Sequence, residues 1–198
     1  MLILARHGET DANAARLLQG RMDLPLNDRG RRQAAAMAAA GVARGAAAVV
    51  CSPLRRARET AAALAGGDPG LEVVVDDRWI EVDYGELDGR PVAEAWAPLW
   101  ERWRADPDAV PPGGESLAAV GRRVRPALEE LAARAATEDV VVVSHVSPIK
   151  AAVTWALGVA DPVAWQLFLD VASVTRLGVG DRGPVLRSFN DTCHLTAT

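Results

Sequence analysis

Apolar residues in this chain fall into two patterns. Short unbroken runs, Leu2-Ile3-Leu4-Ala5, Ala46 to Cys51 and Val140-Val141-Val142-Val143, have the length and composition of strands buried on both faces, and Leu71 to Val75 reads as a further strand. Longer stretches carry apolar residues three and four apart and predict helices. One runs from Asp28 to about Ala43, with Asn27 as N-cap and Ala34, Met37, Ala38 and Val42 on one stripe. A second runs from about Leu54 to Ala65, with Ser52-Pro53 as cap and first-turn proline. A third, from Pro91 to about Ala105, aligns Trp96, Leu99, Trp100 and Trp103. Ser116 opens a fourth to about Ala135, and Ser147-Pro148 repeats the cap-and-proline start for a helix ending near Leu157. A short helix is expected around Pro162 to Leu167. Ala172 to Val179 and Val185 to Phe189 read as a hairpin across Gly180 to Gly183, and Gly66 to Gly70 as a turn. Asp11 to Asp28 and Asp76 to Arg90 lack apolar periodicity and read as long loops, of a length that usually carries function. Strands alternating with helices predict an α/β fold, a three-layer α/β/α sandwich whose mostly parallel sheet has an antiparallel edge strand.

Composition narrows this picture. A chain of 198 residues, 49% hydrophobic, suits one well-buried domain spanning 1–198. Its net charge of -4 offers no overall positive field for nucleic acid. Two cysteines, Cys51 and Cys193, make neither a disulfide framework nor a metal cluster, which predicts a reducing, cytoplasmic setting. No basic-then-apolar leader and no run of roughly 20 apolar residues occurs, so the chain is expected to be soluble, unprocessed and free of membrane.

The candidate chemistry lies at the strand ends. Arg6-His7-Gly8, Ser52 leading to Arg56, and Ser144-His145 each follow an apolar run, and two of these tips lead into helix N-termini. Ligands of open α/β sheets bind beyond the carboxyl ends of the strands, and helix starts present free N–H groups with partial positive charge. Two arginines and two histidines there describe an anion pocket in an acidic protein, and phosphate is the guest it suits.

The blocks around these residues resemble the histidine phosphatase superfamily, the phosphoglycerate mutase-like proteins. Leu4-Ala5-Arg6-His7-Gly8-Glu9-Thr10 with Asn13 is similar to its signature. Gln19-Gly20 with Asp23 to Asn27 and Gly30 resembles its phosphate-loop segment, and Ser52 to Ala61 its second-arginine helix. Glu81 to Gly89 resembles the loop carrying the proton donor, Gly113 to Ser116 the start of its late helix, and Val143-Ser144-His145 its second histidine. The tail, with Ser144 to Lys150 and Asn190-Asp191-Thr192, is most similar to the α-ribazole phosphatase and actinobacterial acid phosphatase branch, some members of which are fused to a ribonuclease H domain; these 198 residues contain none. Val146 departs from the pattern, since many relatives carry glycine there, and it bears on substrate shape.

The same roles follow from the chemistry. A phosphomonoester repels an anionic nucleophile, so a neutral imidazole is a sensible attacker once cations hold the oxygens. His7 is that nucleophile, with Arg6, Arg56 and a protonated His145 around the phosphoryl group and Asn13, Gln19, Gly20 and Val146 completing the binding site. A carboxylic acid beside a phosphate dianion is driven towards its protonated form, which suits Glu81 as general acid and then as base for water. Glu115 is the second candidate. Glu9 is expected to orient His7 or its loop, and His194 to lie on the surface. A metal site from His7, Glu9 and His145 lacks the usual ligand spacing, and the chemistry calls for no metal and no cofactor. The expected activity is hydrolysis of a small phosphomonoester, as an α-ribazole phosphatase or broad acid phosphatase. The alternatives are a cofactor-dependent phosphoglycerate mutase or an idle phospho-ligand module. A homodimer is possible, and the tryptophan helix serves as lid, core packing or dimer interface.

Overall fold

The computed structural model describes residues 1–195 except Gly67, Pro69 and Asp181; the side chains of residues 95, 96, 98 and 104 also fall outside the description. Trp96 of the aromatic stripe, Gly67 and Pro69 of the predicted turn, and Asp181 of the hairpin therefore lie outside the described residues.

Six strands form one sheet: β1 (Leu2–Arg6), β2 (Ala48–Cys51), β3 (Val73–Val75), β4 (Val140–Ser144), β5 (Val174–Gly180) and β6 (Gly183–Asp191), in the order β3-β2-β4-β1-β5-β6. The first four run parallel, and β5 is antiparallel to both β1 and β6. The antiparallel strand thus stands one place in from the edge, because the closing hairpin contributes both of its arms to the sheet. The valine run of β4 lies between β1 and β2, fully buried.

Strand periodicity divides the core. Leu2, Leu4, Val140 and Val142 point to one face, with Trp79, Trp103, Leu128 and Ile149. Ile3, Ala5, Val141 and Val143 point to the other, with Met37, Ala57 and Ala61. Each such side chain contributes roughly 1.5–3 kcal/mol when fully buried if it is Val, Leu or Ile. Helices α2 (Asp28–Ala39) and α3 (Arg55–Ala65) supply the second face, and α5 (Leu117–Ala135) and α6 (Val146–Leu157) the first, where α4 (Val92–Ala105) also packs. The chain leaves β1 for one face and β4 for the other, so the crevice between their carboxyl ends is a topological switch point.

Several boundaries depart from the sequence pattern for local reasons. Within the predicted loop from Asp11, a one-turn helix α1 (Asp11–Ala14) forms, because Thr10 and Asn13 make a reciprocal capping box. Helix α2 stops at Ala39, and Gly41, at φ +74°, turns the chain so that Val42 still reaches the core. Ser52 does not cap α3, which starts two residues later from Leu54, and Ser147 does not cap α6, which starts directly at Val146. The joint from β4 into α6 is thus tighter than the serine-proline pair suggested, and the joint from β2 into α3 looser. The loop from Asp76 contains two 3-10 turns, Asp77–Trp79 and Gly85–Leu87. No helix among the described residues is long and apolar enough to cross a membrane.

Candidate functional site

Parallel register levels the three strand tips. Arg6 pairs with Ser144, and Cys51 with Val143, so His7, His145 and Ser52 are each the first residue past a strand end. Backbone bonds extend the ladder by one step: His7 N–H donates to Ser144 O at 3.0 Å and Ser52 N–H to Val143 O at 3.0 Å. The two imidazoles lie with ring centroids 5.0 Å apart.

Arg56, in the first turn of α3, occupies the space between them. Its Nε–H lies 3.2 Å from His7 Nε2 and 3.2 Å from His145 Nδ1, while Nη1 donates to Met22 O at 2.7 Å and Nη2 to Gly20 O at 2.8 Å. A donor facing both ring nitrogens requires lone pairs there. The remaining ring nitrogens agree: His7 Nδ1 donates to Gly8 O at 2.7 Å, and His145 Nε2 meets Ser52 Oγ at 2.7 Å. Burial first, and then the neighbouring arginines, hold both histidines well below the usual imidazole range. The donor geometry and burial thus favour the neutral form of both rings; the expectation of a protonated His145 concerns the ring beside a bound phosphate. Burial also lowers Arg56, to about 10, so it remains a cation at neutral pH.

Arg6 approaches from β1 and donates through Nη1 to Leu169 O at 2.6 Å. Among the described residues, buried Arg6 Nε and Gln19 Nε2 have no hydrogen-bond partner, an unusual state for buried donors and one an oxyanion would relieve. Gln19 Oε1 accepts from Thr10 Oγ1 at 2.6 Å, and Asn13 Oδ1 accepts from the Thr10 N–H at 3.1 Å, so the capping box sets both amides. Gly20 has no group to spare: its N–H donates to Asp88 Oδ1 at 2.5 Å and its carbonyl holds Arg56. A Cβ there would lie 2.6 Å from Val82 O, so glycine is required by close approach.

Glu81 is buried beneath the start of α6. Its Oε1 accepts from Val82 N–H at 2.8 Å and Ser147 N–H at 3.0 Å, and Oε2 from Val146 N–H at 3.0 Å. The helix whose own first residue has no side-chain cap is capped by this remote carboxylate. Val146 thereby gives its N–H to Glu81 and keeps its side chain for a cavity shared with Tyr84, Ser147, Lys150 and Trp165.

The rivals fall away from the centre. Glu115 pairs with Arg123 at 2.9 and 3.0 Å, and Arg123 donates on to Arg78 O and Glu81 O, so Glu115 braces the Glu81 loop. Glu9 accepts from Asn27 at 3.0 Å and Arg29 at 2.8 Å, orienting the loop and the start of α2 rather than His7. His194 is partly buried, its Nε2 donating to Ala172 O at 2.8 Å, which corrects the surface expectation. Among the described residues no group of three His, Cys, Asp or Glu is placed to hold a metal ion.

Sequence reasoning missed Thr60 and Tyr84. Thr60 Oγ1 donates to Arg56 O at 2.8 Å and accepts from Gly8 N–H at 3.2 Å, tying the arginine helix to the histidine loop. Its spacing of four from Arg56 was the available signal. Tyr84 is buried beside Glu81, and burial raises its hydroxyl well above the usual phenol range. Nothing in the pattern distinguished it.

The arrangement presents an uncharged ring nitrogen, a buried guanidinium, a second arginine with an unfilled donor, and a carboxylate at one crevice. The branch 1 model of the histidine phosphatase superfamily matches residues 2–192. A bifunctional protein of Mycobacterium tuberculosis is 42% identical over 199 residues, covering 98% of this chain and 54% of that protein, so the chain spans about half of its length. Phosphoserine phosphatase 1 of Hydrogenobacter thermophilus is 37% identical over 198 residues, covering 98% of this chain and 93% of that one. The crystal structure of the α-ribazole phosphatase from Shigella flexneri superposes with a TM-score of 0.83 at 26% identity, over 96% of both chains.

Proposed function

Because the chain belongs to the histidine phosphatase superfamily, branch 1, we propose that it is a phosphomonoesterase, a single domain over residues 1–198 working through a phosphohistidine at His7. The observation that carries this reading is the held tautomer of His7: Nδ1–H is fixed on Gly8 O, which leaves the Nε2 lone pair facing the anion site beside Arg56.

In the first step Nε2 attacks phosphorus and the ester P–O bond breaks; Glu81 as acid gives its proton to the departing alkoxide. Glu81, now a carboxylate, removes a proton from water, whose oxygen attacks phosphorus, breaks the P–N bond and returns His7 with free phosphate. Arg6, Arg56 and His145 hold the phosphoryl oxygens, with Asn13 and Gln19 adding neutral donors, and loss of one such donor costs about 2.7–4 kcal/mol. Burial first and then the arginines disfavour the charged form of His145; an arriving phosphate dianion supplies the opposite charge, so this ring takes up its proton together with the substrate. Gly20 serves by aiming Arg56, and Val146 by shaping the cavity for the alcohol.

Cys51 is buried and Cys193 exposed, and no disulfide joins them, which supports a reducing, cytoplasmic setting. Edge strand β3, with three partly exposed valines, supports a homodimer. The substrate is a small phosphomonoester. A panel holding α-ribazole 5′-phosphate, phosphoserine, 3-phosphoglycerate and p-nitrophenyl phosphate, read as free phosphate, tests the proposal. At least one ester is hydrolysed, and His7→Ala abolishes this by more than about a thousandfold. No release from any ester, or 2-phosphoglycerate as the product from 3-phosphoglycerate, contradicts it.

A further inference from the structure

Residues 169–173, which join the 3-10 turn Asp161–Gln166 to β5, grip the Arg6-His7 pair from the side opposite Arg56. Leu169 O accepts from Arg6 Nη1 at 2.6 Å and Ser173 O from Arg6 N–H at 2.9 Å, while Ala172 N–H donates to His7 O at 3.0 Å. The segment does not rest in a relaxed shape, since Ala172 sits at φ +55° without being glycine. Such a conformation persists only where neighbours over-determine it.

Those neighbours come from the end of the chain. Asp170 N–H donates to Asn190 Oδ1 at 2.7 Å, and Asn190 Nδ2 donates back to Asp170 Oδ2 at 2.8 Å, a two-bond fork. Asn190 itself sits at φ +54°, a region Asn tolerates, and its N–H is fixed on Thr175 Oγ1 at 3.3 Å. His194 completes the clamp at Ala172 O, 2.8 Å away. The tail block Asn190-Asp191-Thr192 thus acquires a physical role apart from the phosphate site itself.

We propose that Asn190 and His194 are positioning residues, holding the Arg6 guanidinium and the His7 backbone in register through the 169–173 segment. This rests on the roles of Arg6 and His7 given above. Asn190 acts chiefly on Arg6, through Asp170 and Leu169; His194 acts chiefly on His7, through Ala172. A misplacement of about 1 Å at a reacting group costs on the order of a hundredfold in rate, so the clamp is worth far more to catalysis than two hydrogen bonds are to folding.

The test uses the full chain, with hydrolysis of the best ester in the panel and orthovanadate affinity as readouts. Asn190→Asp sets two carboxylates against each other, and kcat/KM and vanadate affinity are expected to fall together by ten- to a hundredfold, on the order set by that misplacement. The reciprocal swap Asp170→Asn with Asn190→Asp restores the fork with donor and acceptor exchanged, and recovers most of both. In an Arg6→Lys background, Asn190→Asp adds little further loss, because its path runs through Arg6. His194→Ala lowers kcat with KM little changed. A folded Asn190→Asp protein with unaltered kcat/KM, a swap that restores the melting temperature but not catalysis, or full additivity with Arg6→Lys overturns the proposal. A wild-type chain that neither hydrolyses an ester nor binds vanadate overturns the phosphatase reading itself, and this inference with it.

Discussion

Arg56 shows how far a single side chain can set the state of its neighbours. In a pocket whose burial already disfavours imidazolium, one Nε–H directed at two imidazoles further favours their unprotonated form, and the same guanidinium closes the loop at Gly20 and Met22. The identities of His7, Arg56 and His145 were legible because each stands at a strand-to-helix joint, whereas the protonation state of His145 was not, since it depends on burial and on a contact 89 residues away in sequence. Glu81 was legible as a candidate acid but not as the cap of α6, a contact 65 residues distant. That double duty makes a prediction. Glu81→Gln turns one acceptor into a donor facing backbone N–H groups, which costs about 1–3 kcal/mol of stability for a buried donor left unpaired. It also removes the acid, so hydrolysis of an alkyl phosphate falls much more than that of p-nitrophenyl phosphate. Thermal melts and the two rate constants check both halves; equal loss on both esters contradicts the role of acid.

The element that the sequence most nearly misassigned is α4. Its stripe is legible as periodicity, but periodicity does not distinguish a lid from a packing face. Leu99 and Trp103 are buried in the core, with Trp103 Nε1 donating to Ala109 O at 2.7 Å, which rules out these two as lid residues. The tryptophan that lines the cavity beside Val146, together with Tyr84, is Trp165, in the 3-10 segment after α6, stacked on Trp103 with centroids 5.5 Å apart. It escaped the sequence reading because a six-residue 3-10 segment is too short for a period to reveal a face. Trp103→Ala is predicted to lower stability by about 3–5 kcal/mol, as for other buried tryptophans, with the ratio of kcat/KM between an aromatic ester and 3-phosphoglycerate little changed. Trp165→Ala is predicted to cost less stability and to depress that ratio. A selective loss at Trp103 and none at Trp165 would return the lid role to α4.

At the scale of the molecule, an acidic chain of net charge -4 buries Arg56, with Arg6 beside it, where three parallel strands end together. The sheet and its two faces were legible from runs and periods; the bracing of the site by residues 169–173 and the chain end was not, because hairpin and tail meet the first strand only in three dimensions. The neutral state of His7 and His145 has a global consequence. Both have folded pKa values below the unfolded value, near 6.5, so below about that pH the unfolded chain binds protons the folded chain refuses. Their contribution to stability is complete above about 6.5 and lost as pH falls towards the folded values. The melting temperature is expected to drop between pH 7 and 5, less steeply in the His7→Gln, His145→Gln double variant, and less steeply with orthophosphate bound. A flat profile would contradict neutral buried rings.

The central claim is a covalent phosphate on His7, and rapid alkaline quenching during turnover of a phosphorus-labelled ester tests it most directly. The account predicts label on the protein that is stable to base, labile to acid, confined to the peptide holding His7, and absent from His7→Ala. Turnover with no protein-bound label under conditions where hydrolysis of the intermediate limits the rate, or label on any other residue, would contradict it.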